Sequence, residues 1–185
     1  MTSPKSEMTS RERDAALLDR WRAGGMEACT ELLRIYRDRA VNLAYGVLRN
    51  RADAEDAAQQ AFIRVFTTLS DFRGESAFFS WLYRIVISIS IDMTRKASTT
   101  EVAFEPELHG NTDCCGNERR LEVDAALNSL PVHLRSILVL REIDELSYEE
   151  IAEILGIPVG TVRSRLSSAR EAFRRKYKEM LDDEV

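Results

Sequence analysis

The chain has 185 residues and a formal net charge of −5 at pH 7, and 44% of its residues are hydrophobic. With only 8 glycines and 4 prolines it is poor in the residues that punctuate strands and turns, which predicts an all-α protein. Residues 1–14 lack the apolar core of a secretory signal, and no later apolar run approaches membrane-spanning length, so we expect a cytoplasmic protein. Three cysteines are too few for a disulfide framework.

The distribution of polar residues predicts two small helical domains joined by a flexible acidic linker. Residues 1–13 are predicted to be a flexible N-terminus, residues 14–97 an N-terminal domain, residues 98–120 the linker and residues 121–180 a C-terminal domain. The linker region is rich in Ser, Thr, Asn and acidic residues and lacks the apolar content needed to fold alone.

The clearest helix of the N-terminal domain is predicted over residues 53–69, where Asp53 can cap the start. One face is predicted to be buried and carries Ala57, Ala58, Ala61, Phe62, Val65, Phe66 and Leu69. The opposite face carries Asp56, Gln59, Gln60 and Ile63. An isoleucine beside two glutamines is either an ordinary exposed side chain or part of a contact surface, and spacing alone leaves both interpretations open.

Five aromatic residues follow within residues 71–83, namely Phe72, Phe78, Phe79, Trp81 and Tyr83. Aromatic rings near basic residues such as Arg73 and Arg84 are typical of a platform for single-stranded nucleic acid, where bases stack on rings and cations follow the backbone. Core packing is the alternative for each ring. Residues 85–91 alternate like a strand, but they have no neighbouring strand to pair with, so we predict a helix.

The linker contains the adjacent thiols Cys114 and Cys115 shortly after His109. Two thiols and one imidazole leave a tetrahedral metal site one ligand short, so we interpret the cysteines as ordinary thiols and expect no metal or cofactor.

The C-terminal domain contains the strongest motif of the chain. After helical stretches at residues 121–130 and 134–142, Ser147 and Glu150 form a capping box, and Gly156 is suited to end the short helix that follows. A second helix from about Val159 is predicted to bury Val162, Leu166, Ala169 and Phe173. Its outer face is predicted to expose Thr161, Arg163, Ser164, Arg165, Ser167 and Ser168.

This pattern predicts a helix-turn-helix whose second helix enters the major groove of DNA, where arginine can bond guanine edges. A helical hairpin with a solvated basic face is the alternative. The charge distribution favours the first interpretation, because residues 121–156 carry eight acidic against two basic residues, whereas residues 161–178 carry seven basic against one acidic residue.

Three segments, in this order and at this separation, resemble the extracytoplasmic-function sigma factors of bacterial RNA polymerase. They are residues 53–62 (DAEDAAQQAF), 72–85 (FRGESAFFSWLYRI) and 146–165 (LSYEEIAEILGIPVGTVRSR). The resemblance covers about residues 14–177 and implies a transcription initiation factor without catalytic activity, cofactor or small-molecule substrate. It implies docking on the clamp helices of the largest subunit of core polymerase through Asp56, Gln59, Gln60, Ile63 and Arg64.

The resemblance also implies two promoter contacts. The N-terminal domain would melt the downstream element and capture a flipped non-template base, using Phe72, Arg73, Ser76, Phe78, Trp81, Arg84, Ser88, Asp92, Arg95 and Lys96. The upstream element would be read by Thr161, Arg163, Ser164, Arg165, Ser167 and Ser168. Ser88 departs from the asparagine of many members, and Ser167 and Ser168 stand where basic or aromatic residues are frequent, so no promoter sequence is predicted.

An anti-sigma factor, often one that holds its partner at the membrane, is a further partner that the resemblance implies. Two other classes of protein compete with this interpretation. One is a stand-alone helix-turn-helix regulator, in which residues 14–96 would sense a ligand or form a dimer. The other is a metal-dependent enzyme that uses His109 and the two linker cysteines.

Overall fold

The computed structural model describes residues 9–74, 76–99 and 117–182, and every regular element in these ranges is helical. The N-terminal part contains α1 (Ser10–Arg22), α2 (Met26–Leu48), α3 (Arg51–Thr68) and α4 (Phe78–Thr99). The C-terminal part contains α5 (Asn117–Asn128), α6 (Val132–Leu138), α7 (Tyr148–Leu155) and α8 (Val159–Asp182). The prediction of an all-α fold, with helix in place of a strand over residues 85–91, is confirmed.

A capping box that was not predicted starts α1. The Oε2 atom of Glu12 accepts a hydrogen bond from the amide of Thr9 at 2.8 Å, and the hydroxyl of Thr9 accepts one from the amide of Glu12 at 3.3 Å. Each side chain thereby satisfies a backbone donor at the start of the helix. The predicted boundary at residue 13 therefore lies inside the first turn of α1.

The predicted helix over residues 53–69 is present as α3, but its start and one side of its buried face differ. Asn50 caps it, because its Oδ1 atom accepts a hydrogen bond from the amide of Asp53 at 3.1 Å, and the cap predicted at Asp53 was wrong. Phe66 was predicted to be buried and is instead 49% exposed. The buried face consists of Ala54, Ala57, Ala58, Ala61 and Val65. These small side chains allow α2 and α4 to pack closely against α3.

The helix-turn-helix forms as predicted. The amide of Ser147 donates to Glu150 Oε2 at 2.8 Å, and the amide of Glu150 donates to the Ser147 hydroxyl at 3.2 Å, which completes the capping box at the start of α7. Gly156 ends α7 with a φ of +65°, a left-handed conformation that glycine adopts without steric cost. The turn then leads directly into α8, whose buried face includes Val162, Leu166 and Ala169.

A π-helical segment over Val139–Ile143 extends α6 and was not predicted. The amide of Asp144 donates to the carbonyl of Val139 at 3.1 Å, which is the five-residue spacing of a π-bulge. Such bulges often mark functional positions. Here Val139, which begins the segment, and Asp144, which directly follows it, both contact the N-terminal domain.

The two domains pack against each other and share one continuous apolar core. α2 contacts α6 and the π-helical segment, and α4 contacts α6 and α7. We call this contact region the seam. The polar residues 100–116, which include most of the predicted linker with His109, Cys114 and Cys115, lie outside the described residues.

The described helices were also compared with the requirements of a membrane span and of a metal site. Within the described ranges, no helix has the length and apolar character needed to cross a membrane. The same ranges contain no cluster of three or more side chains that could hold a metal ion, and Cys29 is a free, buried thiol.

Candidate polymerase and nucleic-acid interfaces

The residues predicted to dock on polymerase lie on one exposed face of α3. Packing of the alanine-rich opposite face against α2 and α4 fixes this orientation. Ile63 is 58% exposed, and Phe66 extends the apolar part of the surface by one turn. We call this face the α3 stripe, and it consists of Asp56, Gln59, Gln60, Ile63, Arg64 and Phe66. Phe66 was predicted to lie on the buried face and is exposed next to Ile63 instead.

The loop between α3 and α4 is anchored by a cluster of aromatic rings. Phe78 lies 5.5 Å from Tyr36 and 5.9 Å from Phe72, and Trp81 lies 5.0 Å from Phe72, measured between ring centroids. Phe72 and Phe78 are only 7% and 3% exposed. These two rings are therefore core residues in this structure, whereas Trp81 is half-buried at the surface of the cluster.

The tip of the same loop is accessible. Arg73 and Gly74 are exposed, and Ser76 is half-buried. Gly74 has a φ of +74°, so a residue with a side chain would be strained at this turn. The carbonyl of Phe72 accepts a hydrogen bond from Arg22 Nη2 at 3.0 Å, which ties the start of the loop to α1.

A cavity of about 660 Å³ lies between this loop and the C-terminal domain. Its loop side includes Ser76 and the buried Ser80, and its far side includes Glu150 and Glu153 of α7. Arg39 of α2 also lines it and was not predicted as a site residue. The cavity thus combines hydroxyls and two cations, Arg11 and Arg39, which suit nucleic acid, with carboxylates, which do not. The carboxylates come from both domains, namely Asp14, Glu150 and Glu153.

In the wall of this cavity, a buried polar pair joins α1 to α2. The hydroxyl of Tyr36 donates a hydrogen bond to the carboxylate of Asp14, which also forms an ion pair with Arg13 at 3.1 Å. Burial and the neighbouring carboxylate raise the pKa of Tyr36, so this tyrosine stays protonated and remains a donor at physiological pH. The pair fixes one wall of the aromatic cluster.

The predicted DNA-facing residues of α4 lie mostly on one exposed face. Arg84, Ser88, Asp92, Arg95 and Lys96 are all exposed and recur at helical spacing. Asp92 pairs with Arg95 at 3.0 Å, which partly neutralises this end of the face. Arg84 donates a hydrogen bond to the backbone carbonyl of Glu153, so the C-terminal domain engages the other end.

The predicted reading residues lie on α8, on the side opposite its buried face. Arg163, Ser164, Ser167 and Ser168 are exposed, and Thr161 and Arg165 are half-buried. Arg170, farther along α8, is held by Glu142 at 2.7 Å and is not part of this surface. The structure thus brings the six predicted residues together on the first three turns of one helix.

Comparisons with known proteins agree with this arrangement. Sigma-70 region 2 matches residues 32–100, and Sigma-70 region 4 matches residues 120–173. The RNA polymerase sigma-H factor of Pseudomonas aeruginosa is 35% identical over 191 residues, which cover 94% of this chain and 98% of that protein. The ECF RNA polymerase sigma factor SigW of Bacillus subtilis is 34% identical and covers 85% of this chain and 92% of its own length.

The chain belongs to the extracytoplasmic-function sigma factors.

Two solved structures are similar to this sigma factor. One is CnrH in complex with the cytosolic domain of CnrY, with a TM-score of 0.68, 25% identity, and coverage of 94% of this chain and 99% of CnrH. The other is the sigma factor RpoE from Bartonella quintana in complex with the anti-sigma factor NepR, which shares the fold at a TM-score of 0.63 and 24% identity over 80% of this chain and 96% of RpoE.

Family membership makes this chain a transcription initiation factor, and its two matched regions lie in different domains of the structure. The region 2 match contains the α3 stripe, the loop and the exposed face of α4, and the region 4 match contains the helix-turn-helix. The N-terminal half therefore matches a sigma-factor region, and the alternative of a stand-alone regulator with a sensing domain is not supported.

Proposed function

We propose that this sigma factor recruits core RNA polymerase through the α3 stripe and directs it to promoters through two DNA-binding surfaces. The supporting observation is that exposed apolar and amide side chains on α3 and exposed arginine and hydroxyl side chains on α8 occur on separate domains of one chain. We further propose that it acts without catalysis in the cytoplasm. An anti-sigma factor, which in this family is often a membrane protein, would be its inhibitor.

We propose a functional division at the positions that the sequence predicts, with polymerase binding and promoter melting in residues 14–97 and upstream recognition in residues 121–180. Residues 98–120 would connect them. The position of α1 extends the first domain to Ser10, because its capping box and its buried leucines Leu17 and Leu18 join it to the same core.

At the downstream element, the loop tip and the exposed face of α4 are proposed to contact DNA. Extruding a base from the stack costs a few kcal/mol, so a site that receives it must offer compensating contacts. Arg73, Ser76 and Trp81 are accessible for this role, and the cavity lies next to them. We propose that Phe72 and Phe78 mainly support the loop from within the aromatic cluster. Direct contact with DNA would require these buried rings to leave the cluster.

At the upstream element, α8 is proposed to enter the major groove with its N-terminal turns. Arginine donates bidentate hydrogen bonds to guanine, and serine hydroxyls can bond bases or phosphates. Arg163 is the exposed cation closest to the turn at Gly156. Much of the total affinity for DNA would come from polymerase, which makes a net negative sigma factor compatible with promoter binding.

Removing the central side chains of the α3 stripe should weaken the complex with polymerase. We expect the Gln60→Ala, Ile63→Ala double variant to bind core RNA polymerase about tenfold or more weakly, because buried apolar contacts dominate protein interfaces. The measurement is a fluorescence titration of labelled sigma factor with purified core enzyme. Arg163→Ala is the matched control and should bind normally. Unchanged affinity of the double variant would show that another face docks on polymerase.

A substitution on α8 is expected to lower transcription without affecting polymerase binding. Arg163→Ala should reduce transcription from a cognate promoter by about tenfold, since one base contact contributes about 1–3 kcal/mol, and should leave the affinity for core enzyme intact. The promoter is first selected by run-off transcription of a genomic library with the wild-type holoenzyme. Lys178→Ala, an exposed cation about four turns farther along α8, serves as the control. Equal transcription by Arg163→Ala and Lys178→Ala would argue against α8 as the reading helix.

The same assay tests the proposed function as a whole. The purified chain alone should bind the selected promoter weakly, and together with core enzyme it should initiate transcription. Tight binding by the chain alone, with no effect of polymerase, would contradict the proposal.

A further inference from the structure

The cavity between the loop and α7 contains a buried hydroxyl that the fold leaves unpaired. Ser80 is 1% exposed and lines the cavity, and its Oγ atom has no hydrogen-bond partner among the described residues. A buried hydroxyl without a partner has lost its hydration with no compensation, so such groups are rare in folded proteins. Ser90, which is also buried on α4, is paired, because its hydroxyl donates to the carbonyl of Val86 at 2.9 Å. A ligand in the cavity would supply the partner that Ser80 lacks.

Two guanidinium groups at the cavity carry charge that the fold does not neutralise. Arg11 of α1 and Arg39 of α2 line the cavity and are exposed. No carboxylate of the described residues lies within ion-pair distance of either side chain. Arg39 is positioned by Tyr83, whose ring centre lies 5.8 Å from the guanidinium carbon. Guanidinium groups donate strong hydrogen bonds to phosphate and carboxylate oxygens, so this pair favours an anionic group on the ligand.

The carboxylates that line the cavity are largely engaged by donors of the protein. Asp14 forms an ion pair with Arg13 at 3.1 Å, and Glu150 accepts hydrogen bonds from the amide and the hydroxyl of Ser147 at 2.8 Å each. Glu153 differs, because its carboxylate forms no ion pair with another described residue. A carboxylate of this kind accepts hydrogen bonds from hydroxyl or amino groups. The ligand is therefore expected to combine an anion with hydroxyl or amino groups.

An aromatic wall lies beside these polar groups. Phe79 is half-buried, lines the cavity, and packs at right angles to Tyr83 with the ring centroids 5.9 Å apart. Nucleobases stack on aromatic side chains of this kind because every base has a planar π-face. The volume of the cavity, about 660 Å³, lies within the range of about 300–1,000 Å³ that is typical of small-molecule sites. A planar ring attached to an anion thus fits both its size and its lining.

We propose that this cavity binds a free nucleotide, that is, a nucleobase joined through a sugar to a phosphate. The base stacks on Phe79 and forms a hydrogen bond with Ser80, and the phosphate lies between Arg11 and Arg39. Glu153 accepts hydrogen bonds from the sugar hydroxyls. A base flipped out of promoter DNA has the same chemistry, so a free nucleotide and DNA compete for the loop. Only this competition rests on the proposed function.

Calorimetric titration of the full chain, without DNA or polymerase, tests the site directly. AMP, GMP, CMP and UMP are titrated in turn, and we expect at least one of them to bind with one-to-one stoichiometry. Its nucleoside and inorganic phosphate should each bind at least about tenfold more weakly, because each engages only one part of the site. Absence of binding by all four nucleotides would overturn the inference, as would an equal affinity for inorganic phosphate alone.

Two buried serines of α4 form a matched pair of variants. Ser80→Ala should lower the affinity for the nucleotide about fivefold, the effect of one neutral hydrogen bond. It should leave the midpoint of urea denaturation unchanged, because the hydroxyl has no partner within the fold. Ser90→Ala should retain the affinity of the wild type, since its hydroxyl is bonded within α4 and does not line the cavity. Equal affinities of the two variants would place the ligand elsewhere and overturn the inference.

The cations of α2 give a second pair of variants. Arg39→Gln should lower the affinity about tenfold or more, because it removes a charged donor to the phosphate. Arg34→Gln, at an exposed position of the same helix outside the cavity, should have no effect. The opposite ranking of these two variants would exclude the proposed phosphate position.

A competition experiment separates the two sources of the nucleotide. A fluorescent analogue of the bound nucleotide is displaced with forked DNA of the selected promoter, either intact or lacking the flipped base. We expect the intact fork to displace it at least about tenfold more effectively. Binding of the fork without any binding of free nucleotides would overturn this inference and leave the proposed function standing. Nucleotide binding by a chain that fails to initiate transcription with core polymerase would instead contradict the proposed function alone.

Discussion

Phe78→Ala is expected to lower the free energy of unfolding by about 4 kcal/mol, the magnitude typical of a buried phenylalanine. Phe78 is 3% exposed and lies within 6.0 Å of three other rings, Tyr36, Phe72 and Trp81. Removing it leaves a cavity at the point where α2, the loop and α4 meet, and tightly packed surroundings refill such cavities poorly. Urea denaturation followed by circular dichroism measures the loss.

Phe79→Ala is the matched control for this variant. Phe79 is half-buried, and its ring contacts Tyr83 edge-on at 5.9 Å, so we expect a loss of only about 1–2 kcal/mol. The comparison also separates two roles for Phe78. If Phe78→Ala left stability unchanged and abolished only promoter melting, Phe78 would be a DNA-contacting residue and not a support for the loop.

Arg135→Ala is expected to destabilise the protein by about 3 kcal/mol, because hydrogen bonds from a charged group are strong and their buried acceptors would be left unpaired. Arg135 is 8% exposed, and its guanidinium donates to the carbonyls of Asn128 and Leu130 at 2.7 and 3.0 Å, in addition to Val47. It thereby satisfies backbone acceptors near the C-terminal ends of α5 and α2.

Arg135 keeps its positive charge although it is buried near another arginine. Burial and the nearby Arg49 lower the pKa of Arg135 to about 10, which still leaves it protonated at pH 7. Arg135→Lys should lie between the wild type and the alanine variant, because one ammonium cannot reproduce the fork of a guanidinium. Arg163→Ala, fully outside the core, should change the free energy of unfolding by less than about 0.5 kcal/mol. An Arg135→Ala chain as stable as Arg163→Ala would refute this assignment.

Local features were predicted well where one short-range interaction decides the outcome. The capping box of Ser147 and Glu150 and the left-handed stop at Gly156 involve residues three to six positions apart, so the sequence displays all the participants. The start of α3 was placed wrongly because Asn50 and Asp53 are both capable of capping, and only the backbone conformation decides between them.

Burial within a helix or loop was harder to predict. Phe66 fits the apolar spacing of α3 but lies at the edge of the face that α2 and α4 cover, and it is exposed. Phe72 and Phe78 have the composition of a stacking platform and are buried, because Tyr36 of α2 completes their cluster. Helical periodicity assigns a direction to a side chain but does not specify how far the neighbouring helix reaches.

The sequence by itself determined the helix-turn-helix, the charge contrast between α7 and α8, and the position of the α3 stripe, since each depends on residues within a few turns of one another. Only the tertiary structure decided that Arg84 meets Glu153 and that Gly46 meets Val139. Arg84 and Glu153 are 69 positions apart, and Arg135 and Val47 are 88 apart. Contacts of this range depend on how two domains fit together, and no local pattern of residues encodes that fit.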